Sequence, residues 1–347
     1  APCTSAVTAP AGSRAMTEAH LVARGGHGLC APHFDGDGTL WLASMQTGEI
    51  LRLVRDGDAL ALAVAFSAGI HPCALAVQPA DGTIFLADLG HKSVLAVSPQ
   101  GQTSEFVREY EQIPFLGPSA IAFDGKRNLY LCDAGPVGET GLHAPKGSVF
   151  VVSSEGQLLL PVTLESLAYP SAIALAPAIP AESLDGTGAG AAVETVQPLH
   201  AAPYLYVAEM AANRILRFAR RPVDVFIGAV FHQFAGGAGP SALACAPDGS
   251  LFVAHFEYAL SANTGTADTG SGARAGRTDA AATAAAAGAV PGGARHGQRG
   301  RISRLAPTGE LIDTLYVPAP ELTGLALKGR TLYVTEGSTN SLFAIEL

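Results

Sequence analysis

One phrase recurs six times along the chain and constrains the fold more than any other feature of the sequence. In each copy a small polar residue opens a short apolar run, as in Pro118-Ser-Ala-Ile-Ala-Phe and Pro240-Ser-Ala-Leu-Ala-Cys. A turn and a second strand follow, as in Asp81-Gly-Thr-Ile-Phe-Leu-Ala-Asp88, and further strands complete each unit. Four short strands that repeat every ~40–50 residues are typical of a propeller blade. The opening residues are Cys30, Cys73, Ser119, Ser171, Ser241 and Thr323.

The predicted fold is an all-β, six-bladed β-propeller with four antiparallel strands per blade. The runs are rich in β-branched, aromatic and Leu residues, and no helical period is sustained. The last unit offers only three strands before Leu347, whereas Ala19–Arg24 precedes the first phrase and has no blade of its own. We therefore expect this N-terminal strand to complete the last blade and close the ring.

Composition favours a single domain over residues 1–347 and narrows the classes of partner. Hydrophobic residues make up 48% of the chain and charged residues 15%, which suits a large core. The net charge of −9 predicts neither nucleic acid nor an anionic membrane surface as a partner. No run of 18 apolar residues is present, so no membrane-spanning segment is expected.

Cysteine usage indicates an intracellular, reducing compartment, either the cytoplasm or an organelle. The five cysteines are an odd number and are scattered, unlike a secreted disulfide framework. None of the four Asn residues lies in a glycosylation sequon. The chain begins with Ala1, which is compatible with a targeting segment that has been removed.

Two low-complexity insertions, 178–202 and 259–300, interrupt the repeat. Their Ala, Gly, Thr and Ser composition cannot bury enough apolar surface to offset the entropy of ordering, so we expect both to be flexible. Residues 261–301 contain five Arg and two Asp, a local charge of +3 on an acidic protein. The second insertion is therefore either a docking arm for an acidic partner or a solubilising segment without a role.

The order of motifs resembles the senescence-marker-protein/gluconolactonase family and its strictosidine-synthase-like and NHL-repeat relatives. The resemblance is best over 114–258. Pro118-Ser-Ala-Ile-Ala-Phe with Leu-Tyr-Leu-Cys-Asp133 resembles the family's third blade, and Pro170-Ser-Ala-Ile-Ala-Leu with Leu-Tyr-Val-Ala-Glu209 resembles its fourth. Pro240-Ser-Ala-Leu-Ala-Cys resembles its fifth.

This resemblance implies a divalent cation, usually calcium, at the mouth of the central tunnel, where it polarises a lactone or phosphoester. The family's ligands are a Glu that opens blade one and Asn or Asp residues that open later blades. At those positions this chain has Cys30 or Ala31 in place of Glu, Ser119 and Ser171 in place of Asn, and Ser241 in place of Asp. Such neutral groups are poor ligands for calcium. The sequence therefore argues against the family's hydrolase chemistry, and no cofactor is expected.

Cysteine and histidine residues suggest one replacement for the family's metal site. His27 lies three residues before Cys30, and His71 lies two residues before Cys73. Two thiolates and two imidazoles from adjacent blades would suit zinc. The alternative is that the Cys residues fill small buried spaces while the His residues lie on surface loops.

A second set of residues ends the second strands and is predicted to share a face with the opening residues. It could bind a cation or a basic peptide, or its acids could accept hydrogen bonds from neighbouring turns. We call it the second ring; its members are Asp88, Asp133, Glu209, His255 and Glu336.

An outer strand of blade four carries a basic stripe, formed by Arg214, Arg217, Arg220 and Arg221, which we interpret as a solvated face. No Gly-x-Ser-x-Gly nucleophile elbow is present.

Three functional hypotheses remain. The first is a non-catalytic propeller that acts as a scaffold or interaction subunit of a larger assembly with protein partners. The second is a diverged, calcium- or zinc-dependent lactonase or esterase that acts at the tunnel mouth with residues drawn from Asp88, Asp133, Glu209, His71 and Cys73. The third is a propeller that binds a small molecule without turnover.

Overall fold

The computed structural model describes residues 18–153, 158–176, 204–221, 225–258 and 299–347. Within these ranges every regular element is a β-strand. The strands form six four-stranded antiparallel sheets and one two-stranded hairpin. The predicted all-β, six-bladed propeller is therefore confirmed.

The first three blades each run outward from an inner strand in chain order. Blade one consists of β2 (Leu29–Phe34), β3 (Leu40–Ser44), β4 (Glu49–Asp56) and β5 (Ala59–Ser67). Blade two consists of β6 (Pro72–Val77), β7 (Ile84–Asp88), β8 (Ser93–Val97) and β9 (Thr103–Val107). Blade three consists of β12 (Pro118–Phe123), β13 (Leu129–Asp133), β14 (Gly147–Val152) and β15 (Leu159–Leu167).

Blades four and five repeat this order, whereas blade six takes its outer strand from the N-terminal end. Blade four consists of β16 (Pro170–Leu175), β17 (Tyr204–Glu209), β18 (Arg214–Arg221) and β19 (Val225–Gln233). Blade five consists of β20 (Pro240–Cys245), β21 (Leu251–His255), β22 (Gly300–Leu305) and β23 (Leu311–Val317). Blade six consists of β24 (Leu322–Lys328), β25 (Thr331–Glu336), β26 (Ser341–Glu346) and β1 (His20–Arg24).

Ring closure follows the predicted route. Strand β1 pairs antiparallel with β26, so that His20 lies opposite Ala344 and Arg24 lies opposite Ser341. The strand begins at His20, one residue later than the predicted Ala19. This pairing joins the two ends of the described chain within one sheet.

The core lies between neighbouring blades rather than within any one of them. Between blades four and five, for example, Tyr206 and Ile215 pack with Leu243 and Val253 in one buried cluster. A single blade cannot bury both of its faces, and stacking around the tunnel buries them together.

Two features differ from the sequence-based expectation. A short hairpin, β10 (Glu109–Tyr110) with β11 (Ile113–Pro114), precedes blade three and was not predicted. Strand β22 begins at Gly300, so the predicted insertion 259–300 extends one residue into this strand. Residues 259–298 of that insertion, and the whole of 178–202, lie outside the described residues. In the described ranges, no helix is long and apolar enough to cross a membrane.

The crowded centre of the ring explains one glycine. Gly324 in β24 lies against Pro32 of blade one, so that an added Cβ would overlap the Pro32 ring and would approach Thr335 Oγ1 to 2.7 Å. Pro32 follows Ala31, whose φ of 52° belongs to the left-handed region. Blade one therefore approaches blade six more closely than an alanine at position 324 would permit.

We predict that Gly324→Ala lowers the free energy of unfolding by about 1–3 kcal/mol, because overpacking a filled site forces neighbouring atoms to move. Chemical denaturation with circular dichroism measures the change. Gly125→Ala is the matched control, since a Cβ there would meet no atom within 4 Å. Equal stability of the two variants would refute this description of the centre.

Candidate functional site

The six opening residues form a closed circle of hydrogen bonds between blades. Each side chain contacts the backbone carbonyl oxygen of the residue that precedes its counterpart in the next blade. Since a carbonyl oxygen only accepts, the hydroxyl or thiol must donate. We call these six residues the latch ring. The bonds are Cys30 Sγ to Pro72 O (3.5 Å), Cys73 Sγ to Pro118 O (3.2 Å), Ser119 Oγ to Pro170 O (2.6 Å), Ser171 Oγ to Pro240 O (2.7 Å), Ser241 Oγ to Leu322 O (2.7 Å) and Thr323 Oγ1 to Leu29 O (2.6 Å).

A β-bulge directs these side chains toward the neighbouring blade. In β12, for example, the pairing with β13 shifts between Pro118 and Ala120, so Ser119 has no partner residue across the ladder. The same shift surrounds the latch residue in blades two, four, five and six. A bulge leaves one residue unpaired and locally increases the twist of its strand. Blade one has a longer irregularity, between Cys30 and His33.

The second ring lies directly beside the latch ring, because its members pair with the first residues of the inner strands. Asp88 lies opposite Pro72, and Asp133 lies opposite Pro118. All five members are buried. The two rings therefore lie side by side at the same end of the inner strands.

The acids of the second ring are occupied by donors from the loops around them. Asp88 accepts from the backbone N–H of Ile70 at 2.7 Å and from that of His91 at 2.9 Å. Asp133 accepts from Leu116 N at 3.0 Å and from Gly117 N at 2.7 Å.

The other two acids are used in the same way. Glu209 accepts from Ala168 N at 2.7 Å and from Arg214 Nε at 2.6 Å. Glu336 accepts from Thr339 N at 2.7 Å and from the Ser338 hydroxyl. These carboxylates thus fasten the chain that enters an inner strand, the turn that follows the second strand, or both.

Blade one contributes a sixth member that the sequence analysis missed. Ser44 ends β3 and is fully buried, and its Oγ accepts from the backbone N–H of His27 at 2.7 Å. It lies opposite Leu29, as Asp88 lies opposite Pro72. Its position at the end of the second strand could have revealed it, but a serine among acids gave no chemical signal.

His255 departs from the other members of the second ring because it is not an anion. Its Nδ1 lies 3.3 Å from Arg301 Nη2, and its Nε2 lies 3.0 Å from Ser303 Oγ. Because a guanidinium can only donate, Nδ1 must be the acceptor, which places the ring proton on Nε2. Burial, together with the charge of Arg301, lowers the pKa of His255 to about 3. The imidazole is therefore neutral at physiological pH.

The predicted zinc ligands are not brought together. Among the described residues, no group of three or more His, Cys, Asp or Glu side chains is placed to hold a metal ion. His27 and His71 are exposed, whereas Cys30 is buried. Burial raises the pKa of Cys30 to about 12 and the pKa of Cys73 well above its usual value. Zinc binds thiolates, and these two groups are held as protonated donors.

Calcium fits this mouth no better. Calcium requires several oxygen ligands, with carboxylates to offset its charge. The latch ring offers no carboxylate, and the carboxylates of the second ring are buried and already hydrogen-bonded to N–H groups. We therefore assign no catalytic step to a bound cation.

An aromatic residue that the sequence analysis did not select lies close to the latch ring in the chain, two residues before Ser171. Tyr169 precedes the inner strand of blade four and has a φ of 58°, a strained conformation for a bulky residue. Its backbone is fixed on both sides, by Thr140 Oγ1 at 3.0 Å and by Met210 N at 3.0 Å. Burial raises the pKa of the Tyr169 phenol, with smaller contributions from Cys73 of blade two and Tyr258 of blade five. The Tyr169 phenol is therefore held in its neutral form.

The inner strands also bound a cavity at the opposite end from the latch ring. It has a volume of about 250 Å³ and is lined by Leu175, Cys245, Pro247, Leu327 and Gly329. Burial raises the pKa of the Cys245 thiol to about 12. The lining is mainly apolar. The cavity is small for a ligand site, because pockets for organic ligands usually measure ~300–1,000 Å³.

Comparison with known proteins supports the fold. No protein-family model matches the chain, and no curated protein sequence matches it. A gluconolactonase structure from Xanthomonas campestris matches with a TM-score of 0.66 and 13% identity, over 95% of this chain and 89% of that chain. The calcium-binding protein regucalcin from Agrobacterium tumefaciens matches with a TM-score of 0.59 and 15% identity, over 93% and 94% of the two chains.

A luciferin-regenerating enzyme also matches, with a TM-score of 0.61 and 13% identity, over 93% of this chain and 92% of that chain. The chain therefore has the six-bladed propeller fold of the gluconolactonase and regucalcin structures, as the resemblance in its motifs implied. At these identities the likeness concerns the fold, and function depends on the residues at the site.

We predict that Ser171→Ala lowers the free energy of unfolding by about 1 kcal/mol or more, because the Pro240 carbonyl loses its donor in a partly buried position. Cys73→Ser should keep its latch and leave stability unchanged or slightly higher, because a hydroxyl is the stronger donor. Urea denaturation measures both variants. A stable Ser171→Ala together with an unstable Cys73→Ser would contradict the latch.

We also predict that stability falls as the pH decreases from about 6.5, the ordinary pKa of His, toward 3. In this window the unfolded state takes up a proton on His255 while the folded state keeps that ring neutral. His33, whose pKa burial lowers to about 4, acts in the same direction. The raised pKa values of Asp133 and Glu257 act in the opposite direction, so a comparison of variants is needed.

His255→Gln removes one titrating group, and its unfolding free energy should decrease less steeply with falling pH. The expected difference in slope from the wild type is about 1 kcal/mol per pH unit between pH 6 and pH 4. Denaturant titrations at several pH values measure the two slopes. Parallel curves would show that His255 is protonated in the folded protein.

Proposed function

We propose that this protein is a non-catalytic propeller that acts as an interaction subunit and presents its loop face to protein partners. One observation carries the proposal. The positions from which related propellers are expected to bind a cation are committed here to the latch ring. A hydroxyl or thiol that donates its only proton to a neighbouring blade holds the ring together and is a poor ligand for a hard cation.

Two further features support this reading. The carboxylates that the hydrolase hypothesis would use, Asp88, Asp133 and Glu209, each accept from at least two N–H donors. The thiols of Cys30 and Cys73 are held in the protonated form by burial, which makes them poor metal ligands. Buried carboxylates saturated with donors are suited to holding loops rather than to activating water.

The loop face around the mouth has the apolar character of a docking surface. Five large apolar side chains lie in loops, or in the hairpin, at the same end of the propeller as the latch ring, and each is about half exposed or more. Exposed apolar side chains on loops are typical of interaction sites. The five residues are Ile70 (49% exposed), Ile113 (64%), Val137 (64%), Leu142 (64%) and Tyr258 (49%).

A reducing compartment remains part of the proposal. Cys30, Cys73, Cys132 and Cys245 are all free thiols in the described structure. Two of them belong to the latch ring, where their hydrogen bonds require the thiol form. A partner in the cytoplasm or in a reducing organelle fits this chemistry.

We predict that the protein purified without chelator contains less than stoichiometric calcium, manganese and zinc by elemental mass spectrometry. In its presence, lactones and aryl esters from a test panel should be hydrolysed no faster than in its absence, with or without each added metal. A calcium-loaded gluconolactonase assayed in parallel is the positive control. One tightly bound metal per chain, or saturable hydrolysis lost in Asp133→Asn, would favour the diverged hydrolase instead.

A further inference from the structure

Outer strands of propeller blades each leave one edge unpaired, and proteins usually protect such edges with charged residues or proline. Four of the six outer strands of the described sheets follow this rule: β9 contains Glu105, β15 contains Pro161 and Glu165, β23 contains Asp313, and β1 contains Arg24. Strands β5 and β19 contain no proline and no Asp, Glu, Lys or Arg over nine residues each. These two edges are open to the addition of another strand.

The exposed part of β19 runs from Val225 to Val230. Val225, Ile227 and Val230 are each more than half exposed. Beyond this stretch, blade five covers the end of the strand, because His232 Nδ1 lies 2.8 Å from the Gly309 carbonyl oxygen. About six residues are therefore available for backbone pairing.

The strand behind this edge selects the charge of its occupant. Arg217 of β18 lies opposite Ala229, and Arg221 lies opposite Val225. Residues opposite each other in adjacent antiparallel strands have their side chains on the same face, so both Arg residues share a face with Ile227. Ala229, opposite Arg217, is small and exposed.

Two aromatic rings hold the guanidinium of Arg217 in place. Arg217 lies 4.7 Å from the Tyr204 ring and 5.2 Å from the Phe231 ring, and its guanidinium also hydrogen-bonds to the Tyr206 side chain. A cation fixed in this way is preorganised for a carboxylate partner. The opposite face of the edge presents Phe226, Gly228 and Val230 to apolar side chains, and Arg220 on that face lies over the Phe226 ring.

The other open edge lacks this selectivity. Strand β4, which lies behind β5, contains Glu49, Arg52, Arg55 and Asp56, and its formal charges cancel. The two edges are therefore alike in exposure and in their lack of protecting residues, but they differ in the charge behind them. Strand β5 provides an internal control for β19.

We propose that blade four binds an extended acidic segment of a partner protein, which adds to β19 as a fifth strand. Acidic side chains at alternate positions face Arg217 and Arg221, and apolar side chains between them face Gly228 and Val230. Backbone pairing supplies the affinity and the alternating side chains supply the specificity. The inference rests on the proposed function of an interaction subunit, and it adds to the loop face a second binding surface, the outer edge of blade four, with the partner chemistry that this edge would take.

The test is fluorescence anisotropy with the full chain and a labelled, end-blocked peptide of eight residues in which Glu and Val alternate. The expected result is saturable binding that weakens as ionic strength rises, because part of the attraction is electrostatic. The same peptide with Lys in place of Glu should bind at least tenfold more weakly. Equal binding of the two peptides would overturn the proposed selectivity, and no binding of the Glu peptide would overturn the site.

Matched variants locate the site. Ile227→Glu places a like charge against the acidic peptide and should weaken binding at least tenfold. Val64→Glu on β5, at a residue that is 54% exposed where Ile227 is 53% exposed, should change binding less than twofold. Equal effects of the two variants would overturn the assignment to β19. Unchanged thermal unfolding shows that each variant is folded.

Two outcomes separate this inference from its alternatives. Dimers seen by native mass spectrometry that disappear in Ile227→Glu would make a second copy of the chain the occupant of the edge, which contradicts the proposal. If the Glu peptide does not bind, and the protein contains no metal and hydrolyses no substrate of the panel, the proposed interaction subunit is retained but this binding surface is rejected. A positive hydrolysis panel would overturn the proposed function while leaving the peptide result to be judged by itself.

Discussion

The hydrogen bonds of the latch ring are the interaction on which the rest of the molecule depends. A propeller consists of sheets that share no backbone ladder with one another, so its blades are held mainly by side-chain packing. In this protein six side chains add a directional bond from each blade to the next, around the tunnel from blade one to blade six and back. The second ring then fixes the loops that bring each inner strand to this position.

The same arrangement explains why a chain can have the fold of a hydrolase without the metal ligands that the hydrolysis requires. A residue at the start of an inner strand can point its polar atom toward a cation on the axis or toward the next blade. Carboxylates and amides there would provide oxygen ligands, whereas small hydroxyls and thiols held by a bulge reach the neighbouring carbonyl. Ser119 Oγ, which lies 2.6 Å from Pro170 O, points toward the neighbouring blade.

The fold was predictable because its signal is repetitive. Strand spacing, turn residues and the surplus strand near Ala19 were sufficient for the blade number and the ring closure. The direction of the latch bonds was not predictable, since it depends on a register shift such as that between Pro118 and Ala120. Tyr169 was also missed, because sequence patterns do not indicate its left-handed backbone.

The central claim, that the latch residues are hydrogen-bond donors rather than ligands or nucleophiles, can be tested directly at the two thiols. A thiolate cannot donate, so the reactivity of Cys30 and Cys73 reports the state of the latch. Alkylation of the folded protein with iodoacetamide at pH 7–8, mapped by mass spectrometry, should leave both residues unmodified, while the denatured chain reacts fully. Modification of Cys73 in the folded protein, as fast as that of an unfolded thiol, would contradict the account.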